Sequence, residues 1–183
     1  MKWKNILLVL ALWVVAGACE KKEIPMFTTD DAGIYFQRVT SYIYGSTTEN
    51  YGDSVAYSFV SVQATAKSVV LSATVRTMGK VADYDRPFKV VVDQEGTTAI
   101  DGKHYEVNLD TVVVPAGAST AYVRVRFFRT SDMMEKAIRL ALRLEENEYF
   151  KCYFPEYKNT NAYSATGALI HGDVFAFSLS EMY

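Results

Sequence analysis

Six acidic side chains (Asp83, Asp85, Asp101, Glu145, Glu146 and Glu148), the histidines His104 and His171, and the cysteines Cys19 and Cys152 carry the groups that could do chemistry. Two carboxyls set roughly 5 to 9 Å apart across a sugar can cleave a glycosidic bond. No spacing here brings two acids together, and turn or strand-end positions account for all six. Hard cations want about six or more oxygens, whereas Asp83-Tyr84-Asp85-Arg86 offers few and carries its own guanidinium, so no metal site is expected. Cys152 sits among Tyr149, Phe150, Tyr153 and Phe154 without a local nucleophile signature. A pairing with His104 or His171 therefore gives way to an inert, part-buried thiol. No Gly-x-Ser-x-Gly, Gly-x-Gly-x-x-Gly or phosphate loop occurs. The expectation is a chain with no catalytic residues and no cofactor.

Aromatic rings are the remaining candidates. Tyr42, Tyr44, Tyr51 and Tyr57 lie in and around the polar stretch Ser41 to Asp53, which reads as a long loop. Tyr149, Phe150, Tyr153, Phe154 and Tyr157 surround Pro155 in a second irregular stretch. Rings on sandwich loops stack on the apolar faces of sugars, and the same rings also suit closure of the open ends of a sandwich. The expected ligand-binding set is Tyr42, Tyr44, Tyr51, Tyr149, Tyr153 and Tyr157.

The elements that must position these rings follow from composition and period. The chain has 183 residues, 50% hydrophobic and 14% aromatic, with 10 Gly, 4 Pro and a net charge of -2. That suits one domain with its own core and excludes disorder. Met1 to Ala18 reads as a secretory signal: Lys2 and Lys4 precede the apolar run Ile6 to Val15, and Ala16-Gly17-Ala18 supplies small residues for cleavage. The run is too short to span a bilayer. Removing it takes away two lysines and no acid, so the mature chain is more acidic, which gives no footing for nucleic acid. Cys19 follows at once in an arrangement that resembles a bacterial lipoprotein box, with Ala16 where Leu is usual. The resemblance implies lipidation of Cys19 and a membrane held through the lipid. Residues 19–31 then form a tether, and 32–183 a single domain.

Within that domain period-two patterns dominate. Strands are expected over residues 32–39, 55–62, 68–76, 88–92, 105–109, 111–114, 121–128, 138–145 and 174–177. In the seventh, Ala121, Val123, Val125 and Phe127 face one way and Tyr122, Arg124, Arg126 and Phe128 the other. In the eighth, Ile138, Leu140, Leu142 and Leu144 alternate with Arg139, Ala141, Arg143 and Glu145, placing Arg on the wet face. Pro115-Ala116-Gly117-Ala118 predicts a turn with Gly at positive φ. Only Ser131 to Lys136 reads as a helical turn, capped by Ser131 with Glu135 near its dipole. The expected fold is an all-β, antiparallel sandwich of seven or more strands.

Thr98 to Tyr105, Val112 to Gly117, Val123-Arg124-Val125 and Leu140 to Leu144 resemble Calx-beta-like modules, with His104-Tyr105 where Asp-Tyr is common. The whole mature chain looks like the Bacteroidetes lipoproteins grouped as domain of unknown function 4843. It shares their lipoprotein start, Ile34-Tyr35-Phe36, Met78-Gly79 followed by Asp83-Tyr84-Asp85-Arg86, the block from Thr97-Thr98-Ala99 to Tyr105, and the Pro-Ala-Gly turn. Residues 69–150 carry most of the likeness. The resemblance implies an immunoglobulin-like sandwich in an outer-membrane lipoprotein, on the cell surface or periplasmic face. Its expected role is accessory binding or assembly, with glycan or an outer-membrane uptake complex as partner. An adhesin-like subunit is the alternative, and a glycan-active enzyme a more distant one. Similar chains run on past a Phe-rich strand such as Val174 to Leu179, which implies a truncated end at Tyr183.

Overall fold

The computed structural model describes residues 32–42, 49–158 and 169–182. The signal-like segment, Cys19, the tether and Tyr44 lie outside the described residues. In chain order the strands are β1 (Gly33–Phe36), β2 (Val39–Tyr42), β3 (Glu49–Gly52), β4 (Ser54–Ser58), β5 (Ser68–Met78), β6 (Arg86–Pro87), β7 (Lys89–Val92), β8 (Tyr105–Glu106), β9 (Val113–Val114), β10 (Thr120–Phe128), β11 (Ile138–Glu145), β12 (Tyr157–Lys158), β13 (Leu169–Ile170) and β14 (Val174–Ser180). Two 3-10 turns, Phe59–Ser61 and Ser131–Met134, are the only helical elements among the described residues.

Two four-stranded sheets, ordered β1-β5-β10-β8 and β4-β14-β11-β7, make an all-β sandwich, as the alternation predicts. Phe127 of the first sheet meets Phe177 of the second with ring centroids 5.2 Å apart, and Phe36 meets Phe175 at 5.7 Å. Around them Ala73, Val75, Val123, Val125, Leu140, Leu142 and Leu179 are buried. Each such Leu or Phe contributes about 1.5 to 3 kcal/mol by leaving water. Tyr122, Arg124 and Arg126 face solvent on β10, as their phase requires.

One pairing departs from the antiparallel expectation. β4 runs parallel to β14, from Ser54 opposite Ala176 to Ser58 opposite Ser180. The Phe-rich β14 therefore lies inside its sheet, flanked by β4 and β11. Ser41 to Asp53, expected as a loop, carries the paired strands β2 and β3, in register from Val39 opposite Gly52 to Tyr42 opposite Glu49. The strand expected over 55–62 stops at Ser58, whose hydroxyl accepts from the Val60 N–H and turns the chain into a 3-10 bend that buries Phe59. The strand expected over 105–109 ends at Glu106, and Asn108 beyond it accepts from the Asp110 N–H in an Asx turn. The 3-10 turn at Ser131–Met134 has Thr130, not Ser131, at its N-cap, and Asp132 is the acid in its first turn while Glu135 closes it.

The outer face of β11 is also less wet than expected. Ala141 is fully buried, because the chain leaving β7 continues across it. The Ala141 N–H donates to the Thr97 hydroxyl at 2.9 Å and its carbonyl accepts from the Asp93 N–H, while the Thr98 hydroxyl accepts from the Arg139 N–H. Two threonine hydroxyls thus continue the ladder where β7 ends. Arg143 is half-buried and paired with Asp93 at 2.8 Å and Asp173 at 3.3 Å.

Edge strand β1 is covered on its far side. Ile34 donates to the Lys151 carbonyl at 3.0 Å and Phe36 to the Gly172 carbonyl at 2.7 Å. Gly172 is required there, since a Cβ would stand 2.7 Å from the Phe154 carbonyl oxygen.

Candidate functional site

Residues 115–117 hold in place the segment that forms one wall of a cleft. Gly117 adopts φ +74°, as its place in the Pro-Ala-Gly turn predicts. Its N–H donates to the Ala82 carbonyl, and the Ala116 N–H donates to Asp85 Oδ1, both at 2.8 Å. These bonds fix the segment from Gly79 to Asp85, which leaves β5 through a glycine at φ +93° and enters β6 at Arg86. The opposite wall follows β11. There Asn147 Oδ1 accepts from the N–H groups of Tyr149 and Phe150, while its amide nitrogen donates to the Pro87 carbonyl at 2.8 Å. One side chain thus orders the second loop and ties it to β6.

Between the walls lies a cleft of about 420 Å³ whose lining includes Ala32, Lys80, Asp83, Tyr84, Arg86, Glu148 and Tyr149. The Tyr84 and Tyr149 rings stand 6.4 Å apart, tilted by 57°. Tyr84 is exposed and Tyr149 half-buried. Arg86 is only 5% exposed, and its guanidinium carbon lies 4.8 Å from the centroid of the buried Phe150 ring. Its Nε has no hydrogen-bond partner, and no carboxylate among the described residues pairs with it. Stacking on a desolvated ring contributes about 2 kcal/mol. A buried donor without a partner costs about 1 to 3 kcal/mol, and more when charged. The arginine is therefore under-satisfied at the floor of an open, two-tyrosine cleft.

Of the expected aromatic set, Tyr149 is the one placed at this cleft among the described residues. Tyr153 is exposed and lies against β1, where a Cβ on Gly33 would stand 2.9 Å from its ring. Tyr42 and Tyr51 fall on β2 and β3, and Tyr157 falls on β12 opposite Ile170. Tyr57 packs edge-on against Phe59 at 5.2 Å, a packing rather than a binding role. Tyr84 and Arg86, which also line the cleft, stand outside that expected set. Their signal in the sequence is the run of charged and aromatic side chains Asp83-Tyr84-Asp85-Arg86.

Other reactive groups are engaged in structure. His104 is buried: its Nδ1 accepts from the Ile100 N–H at 2.8 Å, so the neutral ring carries its proton on Nε2, which donates to Asp132 Oδ2 at 3.0 Å. Lys103 binds the same oxygen at 2.6 Å, and this ammonium, with the histidine, holds the Asp132 carboxyl well below the usual carboxylate range. His171 donates through Nδ1 to the Pro155 carbonyl. Cys152 is half-buried and reaches the Leu144 carbonyl rather than either histidine; burial, aided by Asp173 and Glu146, pushes its thiol up to about 11. Asp85 and Asp101 accept backbone N–H groups, Glu145 pairs with Lys89, and Glu146 accepts from the Cys152 N–H, leaving Asp83 and Glu148 as the acids that line the cleft. Among the described residues no group of three or more His, Cys, Asp or Glu is placed to hold a metal ion.

No curated protein and no solved structure matches the chain. Residues 30–166 match one family, spanning the cleft, the Pro-Ala-Gly turn and both central antiparallel strands β10 and β11. The chain therefore belongs to the family described as Domain of unknown function (DUF4843).

Proposed function

We propose that this chain is a non-catalytic glycan-binding lipoprotein of the bacterial outer membrane, serving a glycan-uptake complex. The observation that carries the binding role is the Tyr84–Tyr149 pair over a cleft of about 420 Å³, large enough for one or two sugar rings. Tyrosine faces suit the C–H faces of a sugar, and the rim groups Lys80, Asp83 and Glu148 supply donors and acceptors for hydroxyls. The basic start, short apolar run and small residues before Cys19 support export and lipidation. A tether of residues 19–31 would reach at most about 45 Å, and it joins the domain at Ala32, which lines the cleft. Ligand would then be held within a tether's length of the membrane.

Affinity electrophoresis in gels containing soluble polysaccharides tests the binding role. The wild-type domain should be retarded by at least one glycan, and Tyr84→Ala or Tyr149→Ala should abolish the retardation. A panel in which nothing retards the wild type would refute it. Glycan cleavage lost in Asp83→Asn or Glu148→Gln would instead make the cleft an active site. The anchor is tested by Cys19→Ala, which should lose fatty-acid labelling and membrane fractionation, and the uptake partner by cross-linking on whole cells.

A further inference from the structure

We infer that the cleft selects an acidic saccharide, with a uronate carboxylate of the ligand seated on Arg86. This rests on the reading of the Tyr84–Tyr149 cleft as a glycan site and adds the class of sugar. Arg86 differs from the other part-buried arginines in what it meets: Arg76 donates to Gln37 and Thr120. Arg129, with a side chain 15% exposed, has Glu181; Arg143, at 40%, has Asp93 and Asp173. Arg86, the one of these whose residue is buried, has an aromatic ring and no carboxylate among the described residues. A guanidinium presents a planar fork that matches a carboxylate bidentately. Burial weakens competition from water, so a carboxylate reaching this fork is bound more strongly than at an exposed arginine. The cation lies in the floor of the cleft while Asp83 and Glu148 are exposed at its rim, so a ring stacked on the tyrosines can turn its carboxylate inward and its hydroxyls toward the rim.

The test uses the wild-type domain with polygalacturonate, alginate and glucuronoxylan, each beside its carboxyl-reduced counterpart, followed by titration calorimetry. At least one acidic polymer should bind about ten- to a hundredfold more tightly than its reduced form, the range of one buried charge-assisted bond. Arg86→Gln should remove that preference, and Arg86→Lys should restore only part of it. Three outcomes would overturn the inference: no binding to any acidic polymer, equal binding of acidic and reduced forms, or a preference for the acid that survives in folded Arg86→Gln. Equal binding that Tyr84→Ala still abolishes would overturn the acidic ligand while leaving the glycan reading intact. Arg86 packs on Phe150, so if Arg86→Gln does not fold, the comparison of acidic and reduced polymers on the wild-type chain decides alone.

Discussion

Arg129 and Glu181 clamp the two sheets together at one end of the sandwich. Arg129 directly follows β10 and Glu181 directly follows β14, and the guanidinium meets the carboxylate through both Nε, at 2.8 Å, and Nη2. The same guanidinium donates to the Gln63 carbonyl at 3.2 Å and lies over the Phe59 ring, while the Glu181 N–H donates to the Met133 carbonyl. The pair therefore also gathers both 3-10 turns. The arginine holds the Glu181 carboxyl below its ordinary value. A depressed folded-state value means the stabilisation is present above the unfolded carboxylate pKa and is lost as pH falls through the folded one. Arg129→Gln should lower the urea midpoint at pH 7 clearly more than Lys89→Gln, which breaks the exposed Lys89–Glu145 pair. The penalty of Arg129→Gln should shrink as the pH is taken below 4. An equal loss from both variants at pH 7 would show that the clamp adds nothing beyond a surface pair.

His104 and Asp132 form a part-buried contact with a fixed proton arrangement. Because the Ile100 N–H occupies Nδ1, nitrogen NMR of the neutral ring should find the proton on Nε2. Ordering by the opposite tautomer would contradict the geometry. Asp132 is held low by Lys103 first and by His104 among its other partners, so its contribution too fades only as pH falls well below the ordinary carboxylate range. Asp132→Asn should make the acid unfolding transition less steep.

Thr97→Val keeps the shape of the side chain and removes the hydroxyl that accepts from the Ala141 N–H. The Ala141 backbone is fully buried, so its N–H would be left unpaired, at a cost of about 1 to 3 kcal/mol. Thr97→Ser should recover most of the loss in equilibrium unfolding. A neutral Thr97→Val would mean that the ladder does not depend on this hydroxyl.

Cys152 should behave as a poor nucleophile. With its thiol pushed up to about 11, about one molecule in a thousand carries thiolate at pH 8, against roughly a quarter for an ordinary thiol. Alkylation of the folded Cys19→Ala domain by iodoacetamide should therefore be on the order of a hundredfold slower than in urea at that pH. It should accelerate as the pH approaches 11. Fast reaction in the folded state at pH 8 would place the sulfur in a different environment.

The sandwich was legible where one face is dry and the other wet. In β10 the run from Ala121 to Phe127 alternates without interruption, and its burial follows residue by residue. β11 obeyed the same rule on its inner face, but Ala141 is covered by Thr97, and no local pattern reveals that a loop far back in the chain crosses over it. The parallel pairing of β4 with β14 was equally hidden, because alternation sets which face is buried and not which strand lies alongside. In the cleft, Tyr149 was recognisable as an aromatic in an irregular stretch. Arg86 was not, since its burial arises from the β6–β9 pairing and from Phe150, which Asn147 brings alongside.

The position of β14 sets the order in which the molecule can be made. It is an inner strand of its sheet, yet its partner β4 is encoded near residue 54 and β14 itself near residue 176. A chain emerging from the ribosome can close β5 on β10 early, but β4 waits for its partner β14, which is made much later. The second sheet is thus completed only once β14 has joined, and folding should be slow for a domain of this size, as expected when a central contact joins distant parts of the chain.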